Sequence, residues 1–193
     1  LILLNGIDIF QPFVAGLDAK EDFVQELHRL VGRPIGINLE PVDSQAQMAG
    51  ERLIINEGRQ ASLATIQRAE ELGVDFICLT GNPGTGVTNQ AIIDTIRVVK
   101  ENFSGLLIAG KMHASGVDEP VADMEAIAQF IEAGVDIVLA PAVGSVPGFD
   151  EQDLKQIVRL AHQKGALVMS AIGTSQESAD EDIVKQMAIR NKI

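Results

Sequence analysis

The chain reads as a parallel α/β protein, a (β/α)8 TIM barrel, and three observations predict this. Six apolar stretches recur about every thirty residues along the 193-residue chain, each closes in polar or glycine-rich residues, and the segments between them carry helical spacing. The stretches are Leu1–Asn5, Pro34–Glu40, Asp75–Asn82, Leu106–His113, Asp136–Ala142 and Ala166–Thr174. A closed barrel needs eight strands, so these six are expected to be strands two to seven of a single domain over residues 1–193, with one strand lost at each end. The rival architecture is an open, doubly wound sheet of six strands.

Punctuation along the chain supports alternating strands and helices. Apolar periodicity marks helices over Ser62–Leu72, Ala91–Lys100 and Met124–Ala133. Gly73-Val74-Asp75 and Gly134-Val135-Asp136 follow helical runs, and Gly165-Ala166 follows Ala161-His162-Gln163-Lys164. Glycine at such points accepts the left-handed conformation that ends a helix. Asp150 with Asp153, and Ser178 with Glu181, have the spacing of capping signals at helix starts. Pro41–Gly58 is a long connection, either a lid or pocket wall or an elongated surface segment.

Composition narrows the function. With 46% hydrophobic and 22% charged side chains, the chain can bury a full core. A net charge of −12 with no basic patch disfavours nucleic acid and anionic membranes. No apolar run approaches the roughly 20 residues that span a bilayer, and Leu1–Leu4 lacks the marks of a signal segment. The single cysteine, Cys78, allows no internal disulfide, which fits a cytoplasmic protein. Without Trp or Tyr there is no aromatic platform of the kind that stacks on bases or sugars.

Side-chain phase points to one rim. In Ile35–Glu40 the branched residues alternate with Gly36, Asn38 and Glu40, and in Ile77–Asn82 they alternate with Cys78, Thr80 and Asn82. The same reading of Leu107–His113 puts Leu107, Ala109, Lys111 and His113 on the inner face. Asn38, Glu40, Thr80, Asn82, Lys111 and His113 are therefore expected at the strand C-terminal ends, where barrel active sites lie. Strands next but one to each other share a layer, so Glu40 and Lys111 are expected to meet in a partly dry pocket. They form either a buried ion pair that fixes the barrel or a catalytic pair. Lys111 among apolar walls would suit a Schiff-base nucleophile, whereas Lys111 beside Glu40 would stay charged and suit anion binding. His113 is placed for acid/base work, while His28 and His162 are expected to face solvent. A metal held by Glu40, His113 and Asp8 lacks ligand spacing; Mg²⁺ fits it better than Zn²⁺.

Glycine-rich loops follow three strands. Gly81–Asn89 precedes a helix, so the amides around Gly84 and Gly86 and the helix N-terminus are expected to cradle an anion. It is neither a P-loop nor a dinucleotide fingerprint. Gly144–Gly148 and Gly173-Thr174-Ser175-Gln176 hold equivalent places. Three such loops favour a small polar or phosphorylated ligand across the mouth, with Asn5, Ser170, Gly173, Thr174 and Ser175 among the binding residues.

Arg33–Pro41, Phe76–Gly86, Gly110-Lys111-Met112-His113 and Met169–Glu177 are spaced along the chain, and the similarity they carry covers essentially all of it. They resemble the motifs of an uncharacterised bacterial TIM-barrel family whose members are often filed as haloacid dehalogenase-like hydrolases. The chain is more distantly similar to BtpA and ribulose-phosphate-binding barrels. The resemblance implies a (β/α)8 barrel with a further first strand and a final strand rich in His and Gly that completes the pocket. Lys111-Met112-His113 departs from the Lys-Lys-Cys-Gly-His run of the phosphoenolpyruvate mutase family.

The resulting expectation is a lyase, aldolase or isomerase acting on a small anionic metabolite, phosphorylated or carboxylated. Lys111, Glu40 and His113 carry the chemistry, and Asn38, Thr80 and Asn82 orient the substrate. A Mg²⁺-dependent phosphosugar or phosphoenolpyruvate-type enzyme or hydrolase, and a non-catalytic ligand-binding barrel, are the alternatives. The reading leaves room for a homo-oligomer.

Overall fold

The computed structural model describes residues 1–17, 21–173 and 179–192. Six parallel strands are laid down in chain order, β1 (Ile2–Leu4), β2 (Ile35–Leu39), β3 (Phe76–Leu79), β4 (Leu106–Gly110), β5 (Ile137–Pro141) and β6 (Leu167–Ala171). Helices α1 (Phe23–Val31), α2 (Leu63–Leu72), α3 (Asn89–Asn102), α4 (Met124–Ala133) and α5 (Glu151–Gln163) cross between them, and α6 (Glu181–Arg190) follows β6. A doubly wound sheet reverses its strand order at a switch point. This sheet never reverses, so the rival architecture falls and a six-strand half-barrel stands, with β1 and β6 at its edges.

Local chemistry explains the boundaries. Ser62 and Thr65 form a capping box at the start of α2, and Asp150 and Asp153 form another at α5. Helices α2 and α4 stop at Gly73 (φ 68°) and Gly134 (φ 108°), in the left-handed region. The cap of α6 is Asp180, whose carboxylate accepts from the Ile183 amide; Ser178 lies outside the described residues. The two Gly-Val-Asp runs do the same job twice at the strand N-terminal ends. Asp75 accepts from the Ile35 amide at 2.7 Å and Asp136 from the Leu107 amide at 2.8 Å, each tying one strand to the next. His28, expected in solvent, sits 3.1 Å from Asp75; His162 is exposed as expected.

Two apolar layers form. Ile35, Ile37 and Leu39 of β2, Ile77 and Leu79 of β3, Leu107 and Ala109 of β4 and Val138 and Ala140 of β5 pack with the helices. Phe76, Cys78, Ile108 and Leu139 form the inner cluster, joined by Leu3, Met112 and Met169. A β-carbon on Gly36 would lie 2.3 Å from the Phe76 ring, so glycine there is what lets that ring fill the interior. The expected phase of β4 is wrong by one residue, which turns every side chain to the opposite face. Cys78 pairs in register with Ile108, and Leu107 and Ala109 belong to the helix layer. Helix-facing and barrel-facing positions of this strand are both apolar, so alternation alone does not distinguish them.

Candidate functional site

The ends of β1, β2 and β3 build a polar cluster. Glu40 is 1% exposed, and Arg59 Nη2 donates to its Oε1 at 2.8 Å. Asn82 donates its backbone amide to Oε2 at 2.7 Å and its Nδ2 to Oε1 at 2.8 Å. Arg59 is held in place because residues 59–61 extend the sheet beside β2. The Glu40 amide donates to the Arg59 carbonyl, and the Ala61 amide donates to the Glu40 carbonyl. The Asn82 amide lies 3.4 Å from that of Asn5, which is 3.1 Å from Asn38. Asn38 is best satisfied with its nitrogen turned to the carbonyl oxygens of Cys78 (2.8 Å) and Thr80 (3.2 Å). Glu40 is thus an anchor that fixes the Asn82 side chain, which in turn meets Asn5 at the mouth.

Lys111 and Glu40 do not form the expected pair. Lys111 is 3% exposed and donates to Glu119, whose Oε2 also accepts from the Asn89 amide at 2.8 Å. Asn89 is the first residue of α3, so Lys111 continues the helix-facing side of β4 and supports a carboxylate seated at a helix N-terminus. The Schiff-base role expected for Lys111 loses its geometric basis. Ser170 is corrected for the same reason: it pairs in register with Ala140, on the helix side, and β6 faces the cavity through Met169 and Ala171.

His113 lies where two cavities meet. Its ring borders an inner cavity of about 160 Å³ and an outer one of about 410 Å³, both also bordered by Met112 and Gly173. Asn5, Thr80 and Asn82 supply the polar rim of the inner cavity. The Ser115 amide donates to His113 Nδ1 at 3.0 Å, so the proton of the neutral ring sits on Nε2. Burial holds the imidazole pKa below its ordinary 6.5; Glu40 opposes this and Lys111 adds to it. Both charged groups therefore act on His113 although they do not touch one another. Ser115 is 2% exposed and holds φ at 55°, the left-handed region that costs a non-glycine residue strain. Neither its hydroxyl nor that of Thr80 has a partner among the described residues. Nothing in the sequence singled out Arg59, Glu119 or Ser115. Their importance lies in tertiary contacts, and only the polarity of the 113–116 turn was a signal.

Three amides of the glycine loop after β3, among them that of Gly86, are engaged within the protein. Its Asn82 amide is taken by Glu40, its Thr85 amide by the Asn82 carbonyl and its Gly86 amide by the Ser115 carbonyl. Thr88 and Glu119 already cap α3. Gly84 borders the outer cavity, whereas Gly86 packs under Arg52 and Met48. The long connection borders neither cavity and packs behind the loops that do. Asp43 and Leu53 donate backbone amides to the Gly86 and Gly84 carbonyls, and Ala49 donates to Gly116. Thr174 and Ser175 lie outside the described residues. Among the described residues no three His, Cys, Asp or Glu side chains gather as metal ligands. Asp8 is engaged by the Phe10 and Gln11 amides, so the site expected from Glu40, His113 and Asp8 does not assemble. No helix among the described residues is long and apolar enough to cross a membrane.

Similar folds occur among solved structures. A protein from Burkholderia cenocepacia J2315, provisionally designated a lyase/mutase, is 20% identical with a TM-score of 0.55, over 96% of this chain and 66% of that one. 2,3-Dimethylmalate lyase, a member of the PEP mutase/isocitrate lyase superfamily, is 10% identical with a TM-score of 0.48, over 90% of this chain and 66% of that one. Deoxyribose phosphate aldolase from Aeropyrum pernix is 14% identical with a TM-score of 0.45, over 79% of this chain and 60% of that one. The first likeness supports the barrel-type fold, and the chain spans less than two thirds of the length of these proteins. A comparison with curated proteins finds no match. The haloacid dehalogenase-like and BtpA likenesses expected from the motifs gain no support. A family model described as a domain of unknown function, DUF7916, matches residues 1–193, and the chain belongs to that family.

Proposed function

We propose that this chain forms the body of a lyase- or aldolase-type barrel enzyme whose reaction centre is the mouth around His113. The observation that carries the reading is the imidazole itself, fixed by the Ser115 amide on Nδ1 and bordering both cavities. A neutral ring with its proton on Nε2 is a hydrogen-bond donor to a carbonyl oxygen. As the Cα–Cβ bond of a β-hydroxycarbonyl compound breaks, the β-hydroxyl gives its proton to water and becomes the new carbonyl. The bond's electron pair passes to the first carbonyl's oxygen as an enolate that the donor stabilises, and water returns a proton to Cα. An isomerisation through the same enolate would use the same donor. Asn5, Thr80 and Asn82 orient the substrate, Asn38 acts through Asn5, and Gly173 borders the same mouth. Glu40 acts through Asn82. Lys111 helps to keep His113 unprotonated and takes no part in bond making.

The direct test is a panel of β-hydroxycarbonyl compounds, with the released carbonyl product trapped as its hydrazone. Turnover by the wild-type protein is expected to fall about 10²- to 10³-fold in His113→Ala, the usual loss when one oxyanion donor is removed. Unchanged turnover in that variant, or a borohydride-trapped adduct on Lys111, would overturn the reading.

A further inference from the structure

We infer that the inner cavity takes an uncharged ligand, a small hydroxycarbonyl compound with a short branched alkyl body, in place of an anion. This names a substrate class for the reading above and rests on the mouth being the site. The cavity measures about 160 Å³. A cavity of that size holds roughly six to eight non-hydrogen atoms, since about 150 Å³ accommodates benzene. Its floor is apolar, built from Leu3, Leu139 and Met169, and its rim is Asn5, Thr80, Asn82 and His113.

Among the described residues, no Lys, Arg, Asp or Glu borders this cavity or the outer one. Arg59 is matched by Glu40 and Lys111 by Glu119, and Arg52 is held by the Ala46 and Thr85 carbonyls. The Asn82 amide at the rim is likewise taken, by Glu40. A carboxylate or phosphate entering here would shed its hydration without meeting a counter-charge among the described residues, which is strongly unfavourable. Amide and hydroxyl side chains both donate and accept, as a ligand carrying one carbonyl and one hydroxyl requires. The unpartnered Thr80 hydroxyl lies beneath this rim.

The test compares two ligands of one shape in the wild-type protein, 4-hydroxy-4-methyl-2-pentanone and 3-hydroxy-3-methylbutyrate. An acetyl group in the first stands where the second has a carboxylate. Binding is read from methyl-labelled methionines by NMR, because Met112 and Met169 border the cavity while Met124 and Met187 lie on helices. High salt screens the acidic surface, so the comparison reports the cavity alone. The ketone is expected to shift Met112 and Met169 selectively and to bind at least about tenfold more tightly than the acid. Equal affinity, preference for the acid, or no shift with either ligand at its highest soluble concentration would overturn the inference. Binding of the ketone with no cleavage across the panel would remove the lyase reading and leave the ligand class standing. Preference for the acid with cleavage would do the reverse.

Discussion

Two buried ion pairs stand at the ends of strands β2 and β4, next but one in the sheet, and do different work. Glu40 turns inward from β2, and with Arg59 it fixes the side chain of Asn82 at the cavity rim. Lys111 turns outward after β4, and with Glu119 it closes the first turn of α3. Each pair hides a nearly inaccessible charge behind a more exposed partner, since the side chains are 1% exposed for Glu40 and Lys111 but 24% for Arg59 and 29% for Glu119. A charged residue at a barrel rim therefore says little about chemistry until its face is known. One residue of phase separates a group that shapes the rim of the inner cavity from one that braces a helix.

Breaking each pair on its exposed side tests this contrast. Arg59→Met leaves Glu40 buried without a counter-ion, and a loss of about 3 kcal/mol in denaturant unfolding is expected, with altered ligand binding because Asn82 loses its anchor. Glu119→Gln leaves Lys111 one neutral acceptor, so a smaller loss of about 2 kcal/mol is expected, with binding unchanged. Replacing both members, Lys111→Met with Glu119→Leu, is expected to recover most of that loss. A binding defect in Glu119→Gln equal to that in Arg59→Met would erase the distinction.

The smallest effect lies in pH. Because the His113 pKa is depressed in the folded state, the unfolded chain takes up the proton first as pH falls below 6.5. Stability from this residue is therefore full above 6.5 and declines on acidification toward the folded-state value. Lys111→Met should raise the His113 pKa and shrink that decline, whereas Arg59→Met should not lower it further; imidazole NMR titration reads both.

Much of the architecture was legible in the sequence because it rests on local rules. Gly73 and Gly134 end helices for a steric reason, and Asp150 and Asp153 cap one through neighbouring amides; the structure has both. The inward set Asn38, Thr80 and Asn82 was readable because small and polar residues alternate with branched ones. Leu107–Gly110 offered no such contrast, and the phase of β4, with Lys111, was lost. Arg59 and Glu119 were unreadable for a different cause. They lie in connections, 19 and 8 residues from their partners, where no periodicity says which charge they will meet.

The backbone bonds that stack the connections over the mouth make a mechanical train. Asp43 holds Gly86, Gly86 holds Ser115, and Ser115 holds the imidazole, while Ala49 and Leu53 grip the same tier. A ligand that immobilises the ring should therefore quieten residues of the 41–58 connection that border neither cavity. Amide hydrogen exchange at Asp43, Ala49 and Leu53 is expected to slow on occupancy, so that a segment outside the site would register what the site contains.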